Sequence, residues 1–237
     1  MKKIDMHVHT SGASFCSEVS GKMAVSAYRS AGLDGIVLTN HYSLRHFGYF
    51  ADNVDAAVQN YIAEYDRVKR VFRQAGLSVI LGAEVEMIGD GSISEERKNY
   101  EFLLYGADKT FFIENPELYK LSQRELYKLC HDRNIRMFQS HPYRSEQGHS
   151  PADPEFIDGV EINTHPKFAG NYDKVLLFAD RYGLGLVCGS DMHSVSQAGS
   201  AYTLLPDTLT PAALSAYLSE ELRPVIVYDS ESIHMSA

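Results

Sequence analysis

Residues 4–10 read Ile-Asp-Met-His-Val-His-Thr (IDMHVHT), a run that starts as a buried strand and ends with two histidines one residue apart. Side chains two positions apart on a strand point to the same side of it. His7 and His9 therefore face the same way. Such a pair is unusual in an apolar core and natural for a shared metal ion. The segment predicts a metal site at the end of the first strand, with further ligands from elsewhere in the chain.

Short apolar runs like the first one recur along the chain, as buried parallel strands do. They cover 4–6, 35–39, 78–81, 102–105, 136–139, 159–162 and 185–188. Segments of helical period lie between most of them and cover 21–31, 54–75, 115–129, 171–182 and 210–222. This alternation predicts an α/β fold with parallel strands, either a barrel or a distorted barrel. An open doubly wound sheet is the alternative, although no early strand is followed by a glycine-rich nucleotide fingerprint.

The residues that follow these strands are rich in metal-binding types. Active sites of parallel barrels lie at the carboxyl ends of the strands. In chain order, the polar residues at these positions are His7, His9, His41, Glu84, Asp108, His141, Asn163, His165, Asp191 and His193. Every strand would thus deliver a histidine, aspartate or glutamate to one rim. The set predicts a shared centre, although any one of these histidines alone would more often make a single hydrogen bond.

Imidazoles and carboxylates without thiolates suit Zn²⁺, Mn²⁺ or Fe²⁺. Glu84 is a good bridging candidate, because a carboxylate can give one oxygen to each of two ions. Two ions about 3.5–4 Å apart can clamp the attacking and departing oxygens of a displacement at phosphorus. A metal-bound hydroxide would then be the nucleophile.

Composition narrows the classes of partner. The chain has 237 residues and a formal net charge of −9, which argues against a protein that holds long nucleic acid through a basic surface. A small phosphorylated substrate is still compatible with this charge. The three cysteines form no framework and no CxxC pair, so we expect a reducing cytoplasm. No apolar run approaches the roughly 20 residues of a membrane span.

Five motifs together resemble one known family. They are DMHVHT (5–10), LTNH (38–41), GAE (82–84), SHP (140–142) and GSDMH (189–193). In this order they are similar to those of the polymerase-and-histidinol-phosphatase (PHP) family, and the resemblance runs from end to end. It implies a single-domain, distorted (β/α)₇ barrel over residues 1–237, two or three divalent metal ions and phosphoesterase activity.

The resemblance also implies a set of ligands. His7, His9, Glu84 and Asp191 match those of a first metal, while Glu84 and His141 match those of a second. His41 and His193 match a third pair, or groups around the other two metals. Asp108 stands near the place where the family often has a histidine after the fourth strand.

The chain departs from the family pattern in two places. Asn40 replaces an aspartate that the family commonly has before the second-strand histidine. The loop after the first motif has no histidine. Cys16 or Glu18 could substitute for it, although a packed cysteine and a solvated glutamate are the better interpretation. Both departures leave the third metal open.

Other residues are candidates for catalysis and substrate binding. Asp191, His141 and His193 are the catalytic candidates, and either histidine could protonate the leaving oxygen. Arg144, Asn163 and His165 are candidates for substrate binding, ahead of Arg45 and Lys167. The aromatic-rich loop 41–52 would either line the pocket and stack on the substrate or only pack over the barrel mouth.

Two other functions are compatible with the sequence. Amidohydrolase-type enzymes that cut C–N bonds also begin with HxH on the first strand and end with an aspartate. Their two later histidines could be imitated by His141 and His165, but the early Glu84 and the GSDMH ending favour the phosphoesterase. A non-catalytic, metal-stabilised regulatory module is the other alternative, to which Asn40 gives some weight.

Overall fold

The computed structural model describes residues 1–51, 53–87, 100–143, 151–167, 170–207, 210–228 and 232–234. Its strands are β1 Lys2–Val8, β2 Gly35–Leu38, β3 His41–Tyr42, β4 Ser78–Glu86, β5 Glu101–Tyr105, β6 Arg136–Gln139, β7 Gly159–Asn163, β8 Gly185–Gly189, β9 Ala201–Leu205, β10 Ile226–Tyr228 and β11 Ser232–His234. Its α-helices are α1 Gly21–Ala31, α2 Leu44–Gly48, α3 Val54–Gln74, α4 Lys109–Glu114, α5 Gln123–Asp132, α6 Tyr172–Tyr182 and α7 Pro211–Glu220.

The strands form one sheet that curls into a nearly closed barrel. The order β1-β2-β4-β5-β6-β7-β8 follows the chain, with the two-residue β3 paired beside β4. The ends approach each other where Val8 forms a parallel bridge with Met192, just after β8. The His9 amide also donates to the Met192 carbonyl at 3.2 Å. The predicted α/β barrel is therefore confirmed, in a distorted form.

One strand of the barrel runs against the others. β5 pairs antiparallel with both β4 and β6, whereas the other neighbours from β1 to β8 pair in parallel. The prediction that all the strands run in parallel is therefore wrong for β5. The amino end of β5, at Glu101, lies at the rim where the other strands have their carboxyl ends. Its carboxyl end, at Tyr105, faces the opposite end of the barrel.

Three antiparallel strands extend the sheet beyond β1. β9 pairs with β1, β10 with β9 and β11 with β10. The strand-and-helix alternation of the sequence did not predict this meander. The Cys188 amide donates to Thr203 Oγ1 at 3.0 Å, which ties β8 to β9 near the barrel seam.

Local signals explain most of the helices. Asn53 caps α3, accepting from the Ala56 amide at 3.0 Å, and one face of this helix packs on the barrel. The helix expected over 115–129 is wrong in its start. A short 3₁₀ turn at Leu118–Lys120 precedes α5, and α5 begins after Ser122, which forms a capping box with Glu125.

Apolar side chains fill the barrel below the rim. Ile4 and Met6 of β1 lie in this inner cluster, together with Leu214 and Leu218 of α7. α7 packs against the residues around Gly106, because Ser215 contacts both that glycine and the Asn134 carbonyl. α7 therefore covers the end of the barrel at which β5 finishes. The other end, where the parallel strands have their carboxyl ends, stays open. No helix in the described parts of the chain is long and apolar enough to cross a membrane.

Candidate metal centre

Both histidines of the first motif point their outer ring nitrogens at one spot. His7 Nε2 and His9 Nε2 lie 2.9 Å apart. The inner nitrogen of His7 is 2.8 Å from Glu161 Oε1, and that of His9 is 3.0 Å from Ser14 Oγ. Such contacts orient the rings and fix which nitrogen is available to a metal. Two nitrogen lone pairs at this distance repel each other unless a cation or a proton lies between them.

A single carboxylate lies at the centre of the histidines. Glu84 Oε1 is 3.3 Å from His7 Nε2 and 3.1 Å from His141 Nε2. Its other oxygen is 3.3 Å from His9 Nε2 and 2.8 Å from His41 Nδ1. β4 runs past the predicted end at 81, so Glu84 is in the strand itself, and β3 brings His41 into register with it. Each oxygen thus faces its own pair of imidazoles, as a bridging ligand would.

Asp191 closes the other side of the cluster. Its Oδ1 lies 3.1 Å from His9 Nε2 and 3.4 Å from both His7 Nε2 and His193 Nδ1. Asp191 has a φ of 52° and His141 a φ of 28°, a region that residues with a Cβ enter at a cost of about 1–3 kcal/mol each. These backbone conformations direct both side chains into the cluster.

Gly189 in the GSDMH motif allows the close approach of β1 and β8. A Cβ at this position would lie 2.4 Å from His7 Cβ and 2.6 Å from Glu161 Oε1. No side chain larger than hydrogen fits there without moving His7. The glycine of the motif therefore serves the geometry of a ligand on the neighbouring strand.

Glu101 joins the cluster, although the sequence pattern does not predict it. Its Oε2 lies 3.0 Å from His141 Nε2, and the residue is buried. Because β5 is antiparallel, the residue at its start reaches the rim. Asp108, expected as a ligand after this strand, instead caps α4 at the other end, accepting from the Phe111 amide at 2.9 Å, and is exposed. The placement of Asp108 in the metal centre is therefore corrected.

Two further polar residues support the ligands. Glu161, within β7, holds His7 and also accepts from the His141 amide at 3.0 Å. Asn40 Oδ1 accepts from the Thr10 amide at 2.7 Å and from Ser14 Oγ at 2.9 Å. Asn40 therefore orders the loop that holds His9. Glu161 lies between Val160 and Ile162 in β7. Because successive side chains of a strand point to opposite faces, this alternation could have indicated that Glu161 faces away from the two apolar side chains.

The predicted substrate-binding residues have different surroundings. Asn163 donates to Glu161 Oε2 and accepts from the His165 amide, each at 2.9 Å, so its side chain is used within the protein. His165 and His193 have ring centroids 6.1 Å apart at the rim. Arg144 lies outside the described residues.

Burial and charge act in opposite directions on the cluster. Burial alone would lower the pKa of His7, but the carboxylates of Glu161, Glu84 and Asp191 outweigh it and raise this pKa well above its usual value. Burial would raise the pKa of Glu84, but the imidazoles hold it well below the usual range. Without metal, these shifts favour a protonated His7 beside an ionised Glu84, whereas burial and the neighbouring imidazoles lower the pKa of His9. A divalent cation would replace the proton on His7, as metal binding generally releases protons.

The donor set fits divalent metals. Three overlapping groups each place ligand atoms within 4.8 Å of one another, and they are His7-His9-Asp191, His41-Glu84-Glu101 and His9-His41-His193. Glu84 Oε2 and Asp191 Oδ1 are buried and accept no well-aligned hydrogen bond from the described residues, although imidazole nitrogens surround both. Imidazole and carboxylate donors of this kind suit Zn²⁺, Mn²⁺ and Fe²⁺.

Cys16 lies beside this centre rather than in a packed core. Its thiol contacts His193 and His41. Burial would raise its pKa, but these two imidazoles lower the pKa to about 5. The interpretation of Cys16 as a packed cysteine is therefore wrong.

A cavity of about 470 Å³ opens above the cluster. His141, Asp191 and His193 line its floor, and the residues around it come from the loop after β1, from α2 and from the segment after β7. Its size is that of a small-molecule site.

Comparisons with known proteins agree with this geometry. The PHP domain profile matches residues 5–228. None of the curated proteins matches the chain. Among solved structures, PsfC from Pseudomonas syringae PB-5123 has a TM-score of 0.69 and 16% identity, covering 97% of this chain and 92% of that chain. A protein provisionally described as a metal-dependent phosphoesterase from Bifidobacterium adolescentis has a TM-score of 0.56 and 13% identity, with 91% and 95% covered.

An amidohydrolase from Chromobacterium violaceum, solved with sulfate and no metal, has a TM-score of 0.50 and 15% identity, with 92% and 95% covered. At these identities the solved structures show a shared fold. The profile match covers most of the chain and contains all five motifs. We conclude that the chain belongs to the PHP domain family and is a phosphoric ester hydrolase.

Proposed function

We propose that the protein hydrolyses a small phosphomonoester at a centre of two or three divalent cations. The observation that carries this proposal is the buried Glu84 carboxylate, whose two oxygens face different imidazoles at 2.8–3.3 Å. A carboxylate in this position can bridge two cations. The cavity above it is sized for a small molecule, and the chain is acidic overall, which disfavours long nucleic acid.

The ligands divide into three groups. His7, His9, Glu84 and Asp191 would hold one cation, and Glu84, Glu101 and His141 a second. His41 and His193, near His9, would hold a third or support the other two. When bound, such cations neutralise the phosphoryl oxygens and lower the pKa of water towards neutrality.

The chain's own residues bind and orient the substrate. His193 is half-buried, lines the cavity and directs its Nδ1 to the Asp191 carbonyl at 2.9 Å, so its Nε2 is the candidate donor to the leaving oxygen, on a ring that the Cys16 thiol also contacts. His141 is a weaker donor, because two carboxylates contact its Nε2. Lys167 and Arg45 line the cavity and suit the phosphate, and Arg144 stays a prediction.

The barrel resembles an amidohydrolase as well, so C–N hydrolysis is the second candidate. The observation against C–N hydrolysis is the place of Glu84, early in the chain. Its carboxylate contacts His141, so His141 and His165 do not form the later histidine pair that an amidohydrolase would need. Parallel assays on amide and phosphate substrates discriminate the two reactions. A metal-loaded protein inert towards both classes would favour a non-catalytic regulatory module.

The direct test measures phosphate release. Protein purified without chelator should release phosphate from p-nitrophenyl phosphate with added Mn²⁺ or Zn²⁺. His9→Ala and Asp191→Ala should each abolish this release and lower the bound metal. His131→Ala is the matched control, because His131 is a surface histidine paired with Asp158 at 2.9 Å. Full activity in both site variants would overturn the assignment.

We further propose that residues 1–237 form a single PHP-type domain, since β1 pairs with β9 from the other end of the chain. Cys16, Cys130 and Cys188 are all free thiols, which supports a reducing compartment such as the cytoplasm.

A further inference from the structure

The loop after β1 brings a thiol to two imidazoles of the metal centre. The Cys16 side chain lines the cavity and contacts both His41 and His193. Glu18, the other residue of this loop that could bind a cation, is exposed and does not line the cavity. Of the two candidate donors in the loop, Cys16 is therefore the one that reaches the centre.

The loop is fastened to the same two histidines through their backbone. Two residues before Cys16, Ser14 Oγ accepts from the His41 amide at 2.9 Å. Two residues after Cys16, the Glu18 amide donates to the His193 carbonyl at 3.0 Å. The segment that carries the thiol is thus anchored on both sides. A cation would meet donors that are already in place, which lowers the entropy cost of binding it.

Buried negative charge faces the same pair of imidazoles. Glu84 Oε2 lies 2.8 Å from His41 Nδ1, and Asp191 Oδ1 lies 3.4 Å from His193 Nδ1. The two acidic side chains are only 0% and 6% exposed, and neither of these oxygens accepts a well-aligned hydrogen bond from the described residues. A buried carboxylate oxygen in this situation is costly unless positive charge is close to it. This observation is independent of the thiol and indicates a cation on this side of the cluster.

The donors on this side differ in chemistry from those of the rest of the centre. A thiolate and two imidazoles are three protein ligands, the number typical of zinc sites that keep one position open. Thiolate is a soft ligand that suits Zn²⁺, whereas carboxylate and water suit Mn²⁺ and Mg²⁺. The thiol of Cys16 therefore affects which metal is held beside His41 and His193.

We propose that the Cys16 thiolate, His41 and His193 together bind a divalent cation, and that the thiolate makes this position selective for Zn²⁺ over Mn²⁺. This inference rests on the proposed function, because it assigns the third cation of that centre. When the sulfur–metal bond forms, the thiol proton is released to solvent. With the cation bound, His193 is a ligand rather than the proton donor to the leaving oxygen.

The test uses Co²⁺ as a spectroscopic substitute for Zn²⁺. A cobalt ion bound to a thiolate has a sulfur-to-metal charge-transfer band in the near ultraviolet, which imidazole and carboxylate ligands do not produce. Metal-free protein titrated with Co²⁺ in the absence of substrate should develop this band, and Cys16→Ser should not. By elemental analysis after gel filtration, zinc-loaded Cys16→Ser should also hold one zinc ion fewer than the wild type.

Cys130→Ala is the matched control, because it removes a thiol that is fully buried and does not line the cavity. This variant should keep the band at wild-type intensity. A wild type without the band at saturating Co²⁺, or a band that survives in Cys16→Ser, would overturn the thiolate ligand. Since no substrate is present, the result is separate from the proposed function. An active phosphoesterase without the band refutes only the thiolate ligand, and an inert protein with the band refutes only the proposed activity.

Discussion

Glu101 and Asp108 lie at the two ends of β5, and a pair of substitutions distinguishes their roles. Glu101 is buried with Oε2 3.0 Å from His141 Nε2, whereas Asp108 is exposed and caps α4. Glu101→Gln keeps the shape but removes the charge next to His141. We expect metal affinity or kcat/KM to fall by about 10- to 100-fold or more, as when a partner of a ligand is lost.

The effects on stability should differ as well. Removing one member of a buried charge pair costs about 3–5 kcal/mol, so metal-free Glu101→Gln should unfold at clearly lower denaturant concentration. Asp108→Ala should cost only about 0.5–2 kcal/mol, the usual value of an N-cap, with metal content unchanged. The measurements are metal content after gel filtration, phosphate release and urea unfolding. Loss of metal in Asp108→Ala, with wild-type metal and activity in Glu101→Gln, would refute the antiparallel placement of β5.

Three other predictions follow from the site. Gly189→Ala should displace His7 and lower metal content, which elemental analysis would detect; a fully loaded variant would contradict the close approach. In metal-free protein at pH 6, iodoacetamide should modify Cys16, whose pKa is about 5, well before the buried Cys130, and added Zn²⁺ should slow the modification of Cys16. Peptide mapping measures both rates, and equal rates for the two cysteines would contradict this prediction. Burial opposes protonation of His141, yet the neighbouring carboxylates raise its pKa from 6.5 to about 10. Its contribution to the free energy of unfolding of metal-free protein should therefore be complete below pH 6.5 and disappear as the pH rises towards 10, as urea titrations at several pH values would show.

Much of the fold could be predicted because its signals are local. The short apolar runs and the capped helical segments depend on neighbouring residues, so α1, α3, β6 and β8 lie close to their predicted bounds. The predicted start of this helix at 115 is wrong, because the Asn115-Pro116 pair resembles a helix start while α5 begins at Gln123. The Ser122–Glu125 capping box is a stronger start signal, since two backbone amides find partners there.

Sequence alone determined the chemical types at the rim and the family. Spacing along β1 was enough to face His7 and His9 the same way, and the motif order was enough to identify the PHP resemblance. The direction of β5 was decided only by the tertiary structure, because a short apolar run has the same pattern whichever way it runs through the sheet. Because β5 runs in this direction, Glu101 lies in the metal centre and Asp108 does not. Likewise, the positions of Glu161 and Cys16 beside their histidines depend on contacts between residues far apart in the chain, which no local pattern encodes.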